Sequence, residues 1–182
     1  MSKLPRSLKV QPLPRLRSIN RFTRDADYIM GRSGELWRVA DSTARVALIS
    51  DDDRAVLARC EQAQDLFDPP DCYDDAETAD RTLRVEVIGQ RIALLVGGFP
   101  SGAPGDPDVY VNLLIEQIDA VEGLSLPALD AAVYQIIGTQ KFLPTASEVL
   151  AVVNEQNEEW DQRMHAIAAL GHWVRGGDWS RG

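Results

Sequence analysis

DPDVYVNLLIEQIDAVEGLSLPALDAAVYQIIGTQKFLPTASEVL, residues 106–150, holds three helix starts, and their chemistry decides the fold. Asp106 offers an oxygen to the first free amides, and Pro107 brings a ring already set at helical φ. Val109, Tyr110, Leu113, Leu114, Ile118 and Val121 then recur at helical steps until Gly123 stops the run. Ser125 and Pro127 repeat the start, followed by Leu129, Val133, Ile136 and Ile137 up to Gly138. The short connection predicts antiparallel neighbours. Thr145 with Glu148 spells a capping box, in which the hydroxyl meets the third amide and the carboxylate returns to the amide of Thr145. Phe142 and Leu143, just before Pro144, read as a pin that packs the corner between the second helix and the third.

Beyond that corner, Leu150, Val153, Asn157, Trp160, Met164 and Ile167 fall on a narrow seam, with one polar residue inside it. Such a seam either pairs with a second copy, Asn157 fixing the register, or packs on the protein's own helices. Glu155, Glu158, Glu159 and Asp161 form the opposite, solvated face. GHWVRGGDWSRG, residues 171–182, reads as a tail that leaves Trp173 and Trp179 among glycines, clasped onto the fold or offered to a partner.

Working back from residue 106, GGFPSGAPGDP (97–107) is a loop by composition, with four glycines and three prolines. It lacks the Lys-Ser/Thr pair of a phosphate loop. Residues 76–96 fit both a strand and a helix, and the recurrence of Val87, Ile88, Ile92, Leu95 and Phe99 favours a helix. Ser50 and three aspartates open another, which Pro69 and Pro70 end. Upstream, residues 35–39 alternate as a short strand would, and residues 45–49 could pair with them as a β-hairpin. The expected fold is therefore mostly α, a small helical bundle with a short β-hairpin near the amino terminus.

Charge divides the chain. Residues 1–24 carry Lys3, Arg6, Lys9, Arg15, Arg17, Arg21 and Arg24 and no acid, leaving 12 of the 19 basic residues against all 28 acidic ones. With Pro5, Pro12 and Pro14 in it, this arm is expected to be non-helical and disordered in isolation. It is either a nucleic-acid-binding segment, since mobile cations neutralise phosphates without fixed geometry, or a solubilising tail that can lie on the acidic body. The expected organisation is thus an arm over 1–24, one helical domain over 25–170, and the tail. At 182 residues and 45% hydrophobic content there is enough apolar material for a core.

Several function classes find no support. No apolar run is long enough to span a membrane, and the amino terminus lacks a signal-peptide centre, so a cytoplasmic protein is expected. Cys60 and Cys72 suggest neither a disulfide framework nor a zinc site. His165 and His172 are the only histidines, and no carboxylate spacing recruits a metal, so neither an enzyme nor a cofactor is expected.

The order of Tyr110, Leu113 and Leu114, then Leu129, Ala132 and Val133, then Lys141-Phe142-Leu143-Pro144-Thr145 with Glu148-Val149-Leu150, resembles the amino-terminal helical domain of phage replicative-helicase loaders and replisome organisers. The resemblance covers about residues 86–150, and the ATPase motif that some loaders carry is missing. It implies a non-enzymatic adaptor of a phage or mobile element, associated with DNA replication and binding a replicative helicase or related protein. Phe142, Leu143, Glu148, Asn157 and Trp160 are the expected partner-binding residues, and the seven cations of the arm are the expected DNA contacts. The alternative is an acidic phage inhibitor that mimics nucleic acid and occupies a host DNA-binding protein.

Overall fold

The computed structural model describes residues 16–67, 77–99 and 106–176. Those residues form seven helices and no strand: α1 (Leu16–Trp37), α2 (Ser42–Ala47), α3 (Asp51–Phe67), α4 (Glu77–Gly97), α5 (Pro107–Asp119), α6 (Leu126–Thr139) and α7 (Ala146–Val174). None of them is long and apolar enough to cross a membrane. The mostly α bundle expected from the sequence is what the chain builds.

The spine is α7, whose 29 residues span about 43 Å at 1.5 Å per residue. Two cores share it. Near its start, Val149 and Val153 close a core with Ile92 of α4, Leu114 of α5 and Val133 of α6. Farther along, Trp160, Ile167 and Trp173 close another with Phe22 and Ile29 of α1 and Leu57 of α3. Pairings along the helices set their directions. Phe22 meets Trp160 with ring centroids 4.9 Å apart, and Trp37 meets Trp173 at 5.2 Å, so α1 runs parallel to α7. Asp25 pairs with Arg59 and Tyr28 bonds to Asp53, so α3 runs antiparallel to α1. Tyr110 reaches Pro144 while Asn157 reaches back to Gly123 and Ser125, which lays α5 parallel to α7 and α6 antiparallel to it. A buried ion pair, Arg91 Nε to Asp130 Oδ1 at 2.8 Å, fastens α4 to α6.

Three expectations are corrected. The basic segment over 1–24 is not non-helical throughout, because α1 begins at Leu16 and buries Ile19 and Phe22. Ile19, Phe22, Ala26, Ile29, Ser33 and Leu36 recur at three and four, so the apolar stripe starts inside the basic run; Pro5, Pro12 and Pro14 lie outside the described residues. The β-hairpin is absent from residues 35–49, where Glu35, Leu36 and Trp37 are the last turn of α1 and Ser42–Ala47 are α2. An alternation of five residues cannot outweigh the helical stripe that Leu36 continues. Asp41 caps α2, its carboxylate accepting from the Ala44 amide at 2.6 Å. Arg45 then covers the end of α1, donating to the carbonyls of Leu36 and Val39 while its guanidinium lies 5.0 Å from the Trp173 ring.

The third correction concerns the tail. Helix α7 continues through Gly171 to Val174 and buries Trp173, so the domain includes residues assigned to the tail; Trp179 lies outside the described residues. At Gly171 the exposed ion pair of Arg175 with Glu61 crosses the helix closely, Arg175 Nη2 lying 2.8 Å and Glu61 Oε1 3.1 Å from where a Cβ would stand.

Candidate functional site

The corner between α6 and α7 is built by its caps. Thr145 Oγ1 accepts from the Glu148 amide at 3.4 Å, while Glu148 Oε2 accepts from the Thr145 amide at 2.7 Å and from the Thr145 hydroxyl at 2.8 Å. The Thr145 amide and hydroxyl hold the Glu148 carboxyl below its ordinary range. Tyr110 of α5 donates its hydroxyl to the Pro144 carbonyl at 2.7 Å, which ties the corner to the neighbouring helix. Leu143 is half-buried against the core of α4 to α6.

Phe142 behaves differently. It is 67% exposed, touched from one side by the Lys141 ammonium at 5.5 Å from its ring. The expected pin is therefore Leu143 with Tyr110, and Phe142 is not part of it. On α5, Val109 is 62% exposed and Leu113, one turn on, is 41% exposed. Both lie on the helix that Tyr110 fastens to the corner, which leaves α5 with apolar side chains partly open to solvent.

The other expected partner residues are engaged within the chain, Glu148 at the surface and Asn157 and Trp160 in the interior. Glu148 is the cap just described. Asn157 is buried, its Oδ1 accepting from the Ser125 amide at 2.9 Å and its Nδ2 donating to the Gly123 carbonyl at 3.4 Å. That pairing holds the α5–α6 turn, where Gly123 adopts φ +64°. The seam is thus a local packing stripe, and the register device between two copies is corrected to a lock within one chain. Trp160 is buried against Phe22.

Of the expected nucleic-acid contacts, Lys3, Arg6, Lys9 and Arg15 lie outside the described residues, and Arg17 is placed as a position in α1. Arg21 and Arg24 are exposed on α1 and have no carboxylate partner among the described residues. The acids that follow them on α1 are already engaged: Asp25 with Arg59 at 2.9 Å and Asp27 with Arg163 at 2.7 Å.

Sequence reasoning missed Asp53. Its carboxylate is fully buried, accepting from the Ser50 amide at 2.9 Å, the Tyr28 hydroxyl at 2.8 Å and Arg32 Nε at 3.1 Å. Ser50 Oγ accepts in turn from the Asp53 amide at 3.1 Å. The Ser-x-x-Asp spacing was the available signal, masked by three successive aspartates that read only as charge at a helix start. Burial pushes the Asp53 carboxyl up, but the Ser50, Tyr28 and Arg32 donors outweigh it and the net shift is downward. The unfolded chain therefore takes up this proton first as pH falls. Stability from Asp53 is complete above the ordinary carboxylate range and is lost as pH drops through the depressed folded value. Asp53→Ala should cost about 3 kcal/mol at neutral pH, the low end for one partner of a buried pair because Arg32 keeps some water. Urea titrations of both proteins at neutral and acid pH check this, with the gap narrowing in acid.

Catalytic and metal chemistry find few materials. Among the described residues no three His, Cys, Asp or Glu side chains gather as a metal site. Cys60 is buried, and burial, then the nearby Asp25 carboxylate, push its thiol up to about 12, far from a reactive thiolate at neutral pH. His165 Nδ1 lies 2.8 Å from the Asp161 carbonyl of its own helix. No family model matches the chain, and neither a curated protein nor a solved structure matches it.

Proposed function

We propose that this chain is a non-catalytic adaptor of a phage or mobile element, working in the cytoplasm in DNA replication and gripping a replicative helicase or related protein through the α6–α7 corner. The observation that supports this most is Phe142, an aromatic side chain held in the open beside a corner that Leu143, Tyr110 and the capping box already secure. An exposed aromatic of this kind is available as an anchor, since aromatic side chains are enriched where partners meet. The segment carrying the resemblance, about residues 86–150, also supplies most of one core, from Ile88 to Val153. DNA is the second partner, reached through the basic residues from Lys3 to Arg24. The inhibitor reading loses weight because exposed Arg21 and Arg24 sit on the folded body, where a nucleic-acid mimic has no use for them.

Phe142→Ala tests the corner. As an exposed substitution it should change stability by no more than about 0.5 kcal/mol, while capture of a purified replicative helicase falls at least tenfold. Capture equal to wild type in Phe142→Ala and in Val109→Ala/Leu113→Ala would remove the corner from the interface.

A further inference from the structure

Helix α1 orders part of the basic segment in a way that its charge alone does not announce. Arg17, Arg21, Arg24 and Tyr28 follow at steps of four, three and four, which places them on successive turns of one stripe. The buried face of the helix runs through Ile19, Phe22, Ala26 and Ile29, on the side away from Arg21, Arg24 and Tyr28. Arg21 and Arg24 are exposed along it, and Tyr28 is 45% exposed. Its hydroxyl donates to buried Asp53, fixing one end of the ring without covering it. Asp25 and Asp27 are paired with Arg59 and Arg163, so Arg21 and Arg24 stand on α1 without a carboxylate partner among the described residues.

Resting on the reading that the basic segment contacts DNA, we infer that α1 is a single-strand DNA site in which Arg21 and Arg24 hold phosphates and Tyr28 stacks an unpaired base. Cations interleaved with an aromatic face are the chemistry by which single strands are held without regard to sequence. From Arg21 to Tyr28 the helix rises about 10 Å, a distance that about three stacked nucleotides span at 3.4 Å each. A duplex offers no base face to Tyr28.

The test uses the full chain, with a labelled oligothymidine and a duplex of equal length followed by fluorescence anisotropy across a salt series. Oligothymidine should bind more tightly. Arg21→Ala/Arg24→Ala should flatten the salt slope by about 1.4, from about 0.7 per phosphate contact on a single strand. Tyr28→Ala should weaken binding about tenfold without altering the slope, and Tyr28→Phe, which keeps the ring, should bind nearly as wild type. An iodouracil-substituted oligonucleotide should photocross-link to Tyr28 of the unaltered chain, which decides the matter if Tyr28→Ala does not fold. Duplex bound as tightly as oligothymidine, or no cross-link at Tyr28, overturns the stacking site while leaving DNA contact intact. Failure of the full chain to bind either nucleic acid at low salt overturns the DNA contact and this site together.

Discussion

Asp130→Ala should lower the free energy of unfolding by about 3–5 kcal/mol, because it strands the Arg91 guanidinium between α4 and α6 with no counter-charge. Side-chain exposures of 6% for Arg91 and 2% for Asp130 leave water little role in softening that loss. For a domain of this size the change corresponds to a drop in melting temperature on the order of 10 °C. Replacing both residues, Arg91→Met with Asp130→Leu, should be far milder and close to neutral, since the desolvation cost of both charges disappears with their attraction. Urea unfolding of the three proteins separates the cases. A loss under 1 kcal/mol for Asp130→Ala would mean that the pair is solvated in solution. Burial raises the Asp130 carboxyl, against the lowering influence of Arg91. The folded chain therefore keeps this proton longer, and the Asp130 contribution falls as pH rises from the ordinary carboxylate range through the raised value. That slope opposes the one from Asp53, so Asp130→Asn should steepen the gain in stability on leaving acid.

The second large effect is expected at Trp160. Trp160→Ala should cost about 3–5 kcal/mol, as the indole fills the space between α7 and α1 against Phe22 and is 5% exposed. Helicase capture by the fraction that remains folded should be unchanged. This outcome is opposite to that expected for Phe142→Ala, which separates a core aromatic from an anchoring one. A Trp160→Ala protein with wild-type stability and no partner binding would return this residue to the interface.

The helices whose ends carry capping chemistry were legible in the sequence. Asp106-Pro107 and Thr145 with Glu148 define their own starts through local bonds, and the structure forms both. Ser125 starts α6 without a side-chain cap bond, the buried Pro127 and the apolar run after it sufficing. Helix α1 was not legible as one piece, because the basic charge of its first turns and the short alternation at its end each suggested something else locally. Its stripe gains meaning from α3 and above all from α7, far away in the chain. The same distance hid the role of Asn157: a polar residue in an apolar seam looks alike whether its partner is a second copy or a turn of the same molecule. Phe142 and Leu143 were indistinguishable as neighbours in sequence. The Tyr110 hydroxyl bond to Pro144 fixes the corner that turns one inward and the other outward.

The joining of α1 to the far half of α7 bears on how the chain is made. Asp27 and Arg163, which tie the two helices, are 136 residues apart. At a synthesis rate of 5–20 residues per second, roughly 7–27 s pass between their appearance. Throughout that interval Phe22, Ile29 and Leu36 have α3 and, later, Ala128 of α6 against which to shelter, but not Trp160, Ile167 and Trp173 of α7. An apolar stripe left incompletely covered for that long is the kind of surface on which nascent chains associate wrongly, and the last helix to emerge is the one that closes over it.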